Sequence, residues 1–159
     1  MIESDMMHGR DWQGEDLTGW YLVEKLDGCR GEWDGSQFWS KNGRVIQVPE
    51  RIRAAMTAEP VSGEFYAGRG RFQQASNAVR IGGHHWEGVE FVPFDFPSRA
   101  GDYRDRIGAP LAVCKSNKHA LKLMASIIAA GGEGIMAYKP GVAWNAGRSN
   151  AILKLKEGQ

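Results

Sequence analysis

Long apolar runs are missing from this chain. No stretch approaches the roughly 20 residues of a membrane-spanning helix, and the N-terminus is polar and acidic with no apolar signal core, which predicts a soluble, cytoplasmic protein with no membrane partner. Cysteine is scarce. Cys29 and Cys114 are the two present, too few for a disulfide scaffold, and no Cys-x-x-Cys or Cys/His cluster has zinc spacing. The adjacent His84-His85 point different ways on any regular element and read as a surface loop rather than a metal site. Excess charge of one sign is also absent: Lys+Arg 20 against Asp+Glu 19 gives +1, so any footprint for a nucleic acid must be local. The chain lacks the Gly-x-x-x-x-Gly-Lys-Ser/Thr phosphate loop, and Gly68-Arg69-Gly70 is too short for a dinucleotide fingerprint. ATP, if used, is held by another architecture.

What is present is patterned for an α+β fold. With 159 residues and no repeat, low-complexity tract or linker, one compact unit is expected. Residues 20–26 form an aromatic and aliphatic run suited to a buried strand. Two short strands follow at hairpin spacing, separated by Asp34-Gly35 and Asn42-Gly43, which predicts an antiparallel meander carrying Lys25. Pro49 suits the first turn of a helix running to residue 58, strands are expected over 61–66 and 89–96, and residues 71–79 suit a helix between them. A further helix is expected over 118–130, with Asn117 as N-cap, Leu121, Met124, Ile127 and Ile128 on its core face, and Gly131-Gly132 as its stop. Residues 135–139 and 151–156 complete the strands.

The chemistry centres on Val23-Glu24-Lys25-Leu26-Asp27-Gly28-Cys29-Arg30. It contains Lys-x-Asp-Gly-x-Arg, a pattern of enzymes that carry a nucleotide covalently on lysine, and also the letters of a strand entering an Asp-Gly turn. A lysine amine attacks only when neutral, and at a solution pKa of about 10.4 almost none is neutral near pH 7. Partial burial beside other cations lowers that value. Such cations stand in Ile152-Leu153-Lys154-Leu155-Lys156, where strand alternation puts both lysines on one face and both leucines on the other. The pair suits a solvated strand edge, or positive charge for phosphate oxygens and a field on Lys25. Glu64 and Glu133, each beside glycine, suit a sugar hydroxyl, Mg²⁺ or a plain turn. Phe94 suits a platform for a base, or core.

In order along the chain, Lys25-Leu26-Asp27-Gly28-Cys29-Arg30, Ser40-Lys41-Asn42-Gly43, Gly63-Glu64 with Gly68-Arg69-Gly70-Arg71-Phe72, Phe94-Asp95, Glu133-Gly134-Ile135-Met136 and Leu153-Lys154-Leu155-Lys156 resemble the successive motifs of ATP-dependent DNA ligases. The likeness is to the minimal bacterial and phage type, in which Glu-Lys-Leu-Asp-Gly and Gly-Arg-Ser are also typical; here these are residues 24–28 and Gly147-Arg148-Ser149. The resemblance implies a nucleotidyltransferase (ATP-grasp-like) fold of mostly antiparallel sheets packed with helices. It implies that Lys25 attacks the α-phosphate of ATP and carries AMP, which passes to the 5′-phosphate of a nick in duplex DNA before the 3′-hydroxyl displaces it. Arg30 and residues 40–43 then meet ribose or phosphate, Glu64 the ribose and Phe94 the adenine, with Val23 and Glu24 as candidates for its edge. Glu133, with Glu64, supports Mg²⁺ or Mn²⁺; Lys154 and Lys156 hold the α-phosphate; Asp27 assists the later steps. Ser40, Lys41, Asn42, Arg69, Arg71, Arg80 and Arg148 are candidates for DNA contacts, and the arginines equally suit a solvated surface. A monomer is implied.

Ligases of this family continue past the last lysine pair into an OB-fold domain. The sequence ends at Gln159, so the expectation is the nucleotidyltransferase core alone over 1–159, with an accessory DNA-binding partner as one way to replace the missing clamp. An RNA ligase or other lysyl-nucleotidyltransferase, and a non-catalytic nick-binding module, are the competing expectations.

Overall fold

The computed structural model describes residues 1–158. In chain order the strands are β1 (Met7–Asp11), β2 (Tyr21–Glu24), β3 (Cys29–Trp33), β4 (Phe38–Ser40), β5 (Val45–Ile46), β6 (Val61–Tyr66), β7 (Glu90–Asp95), β8 (Ala112–Val113), β9 (Gly134–Tyr138) and β10 (Gly147–Lys156). The α-helices are α1 (Glu50–Arg53), α2 (Phe72–Arg80), α3 (Tyr103–Ile107) and α4 (Asn117–Ala129), and short 3₁₀ turns occupy Glu3–Asp5 and Gly83–Trp86. The chain forms two compact units, one of Met1–Glu3 with Asp27–Ser98 and one of Ser4–Leu26 with the chain from Arg99 onward. No helix among the described residues is long and apolar enough to cross a membrane.

The unit from Asp27 to Ser98 is built on a sheet of order β5-β4-β3-β6-β7, antiparallel throughout. Both expected hairpins form. Burial works against the charge of Asp34, but hydrogen bonds from Trp39 Nε1 (2.8 Å), Gln37 N (2.8 Å) and Ser36 N (2.8 Å) outweigh it and hold the carboxyl at about 2, which fastens the β3–β4 turn. One sheet face carries Trp33, Phe38 and Phe65, which pack with Trp86, Val89 and Ala78 of α2 into an aromatic core. The helix expected to residue 58 stops at Arg53; beyond it Ala55 N and Met56 N bond the Ile52 (3.2 Å) and Arg53 (3.1 Å) carbonyls in tighter turns, and the Trp33 indole donates to the Thr57 carbonyl (2.7 Å).

The other unit has a sheet of order β1-β10-β9-β2-β8, antiparallel except for the β1·β10 pair. The meander expectation fails here: β2 pairs with β9 and β8, not with β3. An uninterrupted apolar run suits a strand with neighbours on both edges and cover on both faces. Leu22, Ile135, Ala137, Leu153 and Leu155 are buried on one face with Ala120, Leu123, Met124 and Ile127 of α4; Tyr21, Tyr138 and Ile152 are buried on the other with Met7 and Tyr103. Burial of each such side chain contributes about 1.5–3 kcal/mol. Leu121, expected in the core, is exposed, and Leu123 takes the inward position. The N-cap is Ser116, whose Oγ accepts from His119 N (3.1 Å), while Asn117 bonds Leu17 N (2.8 Å) and the Glu15 carbonyl (3.0 Å).

Asp102 anchors β2 from the far end. It caps α3 through Asp105 N (3.2 Å), and its Oδ2 accepts from Tyr21 Oη (2.8 Å) and Gly141 N (3.0 Å). Burial disfavours its charge, but these donors win and hold the carboxyl at about 2 against an ordinary 3.8. A carboxyl depressed on folding contributes stability that is present above its unfolded value and lost as pH falls through its folded value. Asp102→Asn is therefore expected to reduce the fall in urea midpoint between about pH 4 and about pH 2; an undiminished fall in the variant contradicts the assignment.

Candidate active site

Strand register builds the first group of candidate side chains. Tyr138, Ala137, Met136 and Ile135 of β9 face Tyr21, Leu22, Val23 and Glu24 of β2, and the ladder continues one residue beyond through the bond from Lys25 N to the Gly134 carbonyl (2.9 Å). On the other edge of β9, Gly134 faces Lys156 and Met136 faces Lys154. Lys25 and Lys156 thus flank Gly134 in one cross-strand row, about 10 Å apart at their Cα atoms, with the Val23-Met136-Lys154 row beside it on the same face. Gly134 has φ +151°, and a Cβ there would overlap the Leu155 carbonyl oxygen, so the row has no side chain at its centre. Glu24 points to the opposite face, where its carboxylate approaches Gly132.

Glu133 enters this arrangement because α4 ends just before it. Gly132 N bonds the Ile127 carbonyl (2.8 Å) and closes the helix, and the next residue delivers its carboxylate to Lys25: Oε1 lies 2.5 Å from Nζ. Both side chains are partly shielded, at 21% and 31% exposure. Strand register puts Lys154 and Lys156 on the sheet face of Lys25, as alternation in residues 152–156 predicts for the pair, but the near partner of Lys25 is the Glu133 carboxylate. Lys156 Nζ is 3.9 Å from Asp11 Oδ1. Asp11 belongs to β1, a strand outside the sequence expectations, whose Gly9 lies where a Cβ would overlap Ile152.

The unit from Asp27 to Ser98 gathers a second group. Arg30 and Glu64 face each other across β3 and β6, with Val92 of β7 next in the row, and the Arg30 guanidinium lies 5.2 Å from the Phe94 ring centroid. Phe94 is thus outside the aromatic core of this unit. Two participants had not been singled out: Glu32, which accepts from Arg30 Nε (2.7 Å), and Ser62, whose hydroxyl donates to Glu32 (2.7 Å). Burial pushes the Glu32 carboxyl up, with Arg30 and Ser62 opposing. Alternation with Arg30 on β3 was the available signal. Gly28 lets β3 begin against β6, since a Cβ there would overlap the Phe65 carbonyl. Burial, with Glu64 adding to it, pushes the Cys29 thiol up to about 11, which leaves it a poor nucleophile near neutrality.

The expected DNA contacts are dispersed. Arg69 and Arg71 are exposed in the loop before α2, and Arg80 on that helix bonds Ser76 Oγ and Asn77 Oδ1, each at 3.1 Å. Ser40 fastens its own turn through Gly43 N (3.0 Å) and Arg44 N (3.1 Å), Lys41 pairs with Glu3 (3.7 Å), Asn42 is exposed, and Arg148 is exposed on β10 of the other unit. The His84 and His85 rings do not diverge as expected: they lie 4.1 Å apart on the 3₁₀ turn. Among the described residues no group of three His, Cys, Asp or Glu side chains could hold a metal ion.

No protein-family model matches the chain. A DNA ligase of Haemophilus influenzae is 26% identical over 170 residues, covering 96% of this chain; the chain spans 63% of that relative's length. Among solved structures, a Lig E DNA ligase superposes with a TM-score of 0.85 at 22% identity over 98% of this chain and 70% of its own. The Chlorella virus DNA ligase-adenylate gives 0.79 at 18% over 99% and 70%, and the ligase domain of Mycobacterium tuberculosis LigD 0.70 at 21% over 95% and 60%. The expected α+β fold, with mostly antiparallel sheets packed with helices, is borne out, and it is the fold of these ligase structures.

A partly exposed ion pair contributes about 1 kcal/mol or less to stability. Lys25→Met and Glu133→Gln are each expected to shift the unfolding free energy by no more than about 1 kcal/mol, as measured by urea denaturation; a loss of several kcal/mol would make the pair a structural element.

Proposed function

We propose that the chain is the catalytic core of an ATP-dependent DNA ligase. Lys25 Nζ attacks the α-phosphorus of ATP, the bond from that phosphorus to the bridging oxygen breaks, pyrophosphate leaves and AMP remains on nitrogen as a phosphoramide. The AMP then passes to the 5′-phosphate at a nick, and the neighbouring 3′-hydroxyl displaces it to form the phosphodiester. Splitting one condensation into displacements at phosphorus lets the same fixed cations stabilise each in turn.

The observation that carries this reading is the row Lys25-Gly134-Lys156, with Lys154 beside it on the same sheet face. A nucleophile and two cations project together around a position without a side chain, which suits a phosphate whose charge grows in the transition state. Glu133 Oε1, 2.5 Å from Nζ, suits the proton acceptor. Mg²⁺ is usually held by one or two carboxylates together with substrate phosphates, and Glu133 offers such a carboxylate; the ion supplies charge neutralisation on the transferring phosphoryl group. In the unit from Asp27 to Ser98, Glu64 is proposed for the ribose, Arg30 for ribose or phosphate, and Phe94 for adenine, while Lys154 and Lys156 are proposed for the α-phosphate. Arg69, Arg71, Arg80 and Arg148 are proposed for DNA phosphates, with affinity that falls steeply as salt rises.

Intact-mass measurement after incubation with ATP and Mg²⁺ tests the first step, and joining of a labelled nicked duplex tests the rest. The wild type is expected to gain one AMP and seal the nick, and Lys25→Ala to lose both by at least about a thousandfold. No gain in the wild type overturns the reading, and a gain from GTP with joining of RNA alone moves the chain to a different lysyl-nucleotidyltransferase class.

A further inference from the structure

Glu32 has no role in the chemistry described so far, yet it is a carboxylate at 4% exposure in the middle of a sheet. Burying a charge is costly unless each of its acceptors is met, and an apolar residue at such a place is often as stable or more so. Both oxygens are met: Oε1 accepts from Arg30 Nε and Oε2 from Ser62 Oγ, each at 2.7 Å, and Ser62 is itself fully buried directly across from Glu32 on β6. Arg30 precedes Glu32 by two residues on β3 and so shares its face. Its guanidinium, caught at Nε by Glu32, lies over the Phe94 ring and directly across from Glu64. A guanidinium is a planar fork of five donors, so fixing Nε sets the direction of the others.

We propose that Glu32 is the positioning residue of this group: by holding Arg30 at Nε, with Ser62 holding Glu32 in turn, it presets the guanidinium against Phe94 and thereby sets how tightly the chain binds a purine nucleotide. The nucleotide part rests on the adenylyl transfer proposed above. Ordering Arg30 before the ligand arrives removes that ordering cost from the binding step, which is the usual gain from preorganisation. Glu32 acts through Arg30 and contacts no ligand.

The test compares Glu32→Gln, Glu32→Leu, Arg30→Ala and Arg30→Ala/Glu32→Leu. The readout is the dissociation constant for α,β-methylene ATP, which cannot release pyrophosphate, together with the Arg30 Nε–Hε NMR signal of the unliganded protein. Glu32→Leu and Arg30→Ala are each expected to weaken binding about tenfold, the double variant no further, and Glu32→Gln, whose amide oxygen still accepts from Nε, to recover to within about threefold of wild type. The Nε–Hε signal is expected in the wild type and Glu32→Gln and lost in Glu32→Leu. A double variant weakened by the product of the single effects overturns the proposal, as does a Glu32→Leu protein with lowered melting temperature but unchanged binding, a wild type that does not bind the analogue, or a wild type without the signal. A wild type that binds the analogue but takes no AMP overturns adenylyl transfer alone.

Discussion

The bond from Lys25 N to the Gly134 carbonyl keeps Lys25 in register with the sheet, and the arrangement around it follows from that register. One residue of slip on β2 would send Lys25 to the face occupied by Leu22 and Leu155 and bring Glu24 to the face of Lys154 and Lys156. The slip is opposed by apolar contacts on both faces, with α4 against Leu22 and Ile135 and with Tyr103 stacked 3.6 Å from Tyr138. The core is therefore not a neutral support: it determines which side of the sheet carries the amine.

Glycine has two separate tasks near this bond. Gly134 keeps the centre of the cationic row clear and adopts a φ that a side chain would resist, while Gly131-Gly132 end α4 so that Glu133 arrives with its carboxylate against Nζ. Charge in the Asp27–Ser98 unit is managed differently. There Glu32, Ser62 and Asp95 are buried on or beside the sheet, and the bonded chain from Ser62 through Glu32 to Arg30 ends over Phe94. One unit thus presents partly exposed cations and the other a buried polar network.

Much of this was legible from spacing. Alternation in residues 152–156 gave the shared face of Lys154 and Lys156, and Asp34-Gly35 and Asn42-Gly43 gave two hairpins, because each signal is local. The errors came where partners are remote. Strand neighbours in sequence point β2 to the meander, but its partners lie some 90 and 110 residues later. β1 escaped notice because its short polar stretch finds a strand only by pairing with β10. Asn117 lost the cap to Ser116 because its amide is engaged with residues 15 and 17, about 100 positions away. Glu32 was hidden for the opposite reason: in sequence it is one more charged residue, and its burial becomes visible only once Ser62 and Arg30 are beside it.

The most direct test of the account is tandem mass spectrometry of the chain after incubation with ATP and Mg²⁺, locating the modified residue. Adenylate on Lys25 and on no other side chain is the predicted result. Adenylate on Lys154, Lys156 or any residue outside the row beside Gly134 would contradict it.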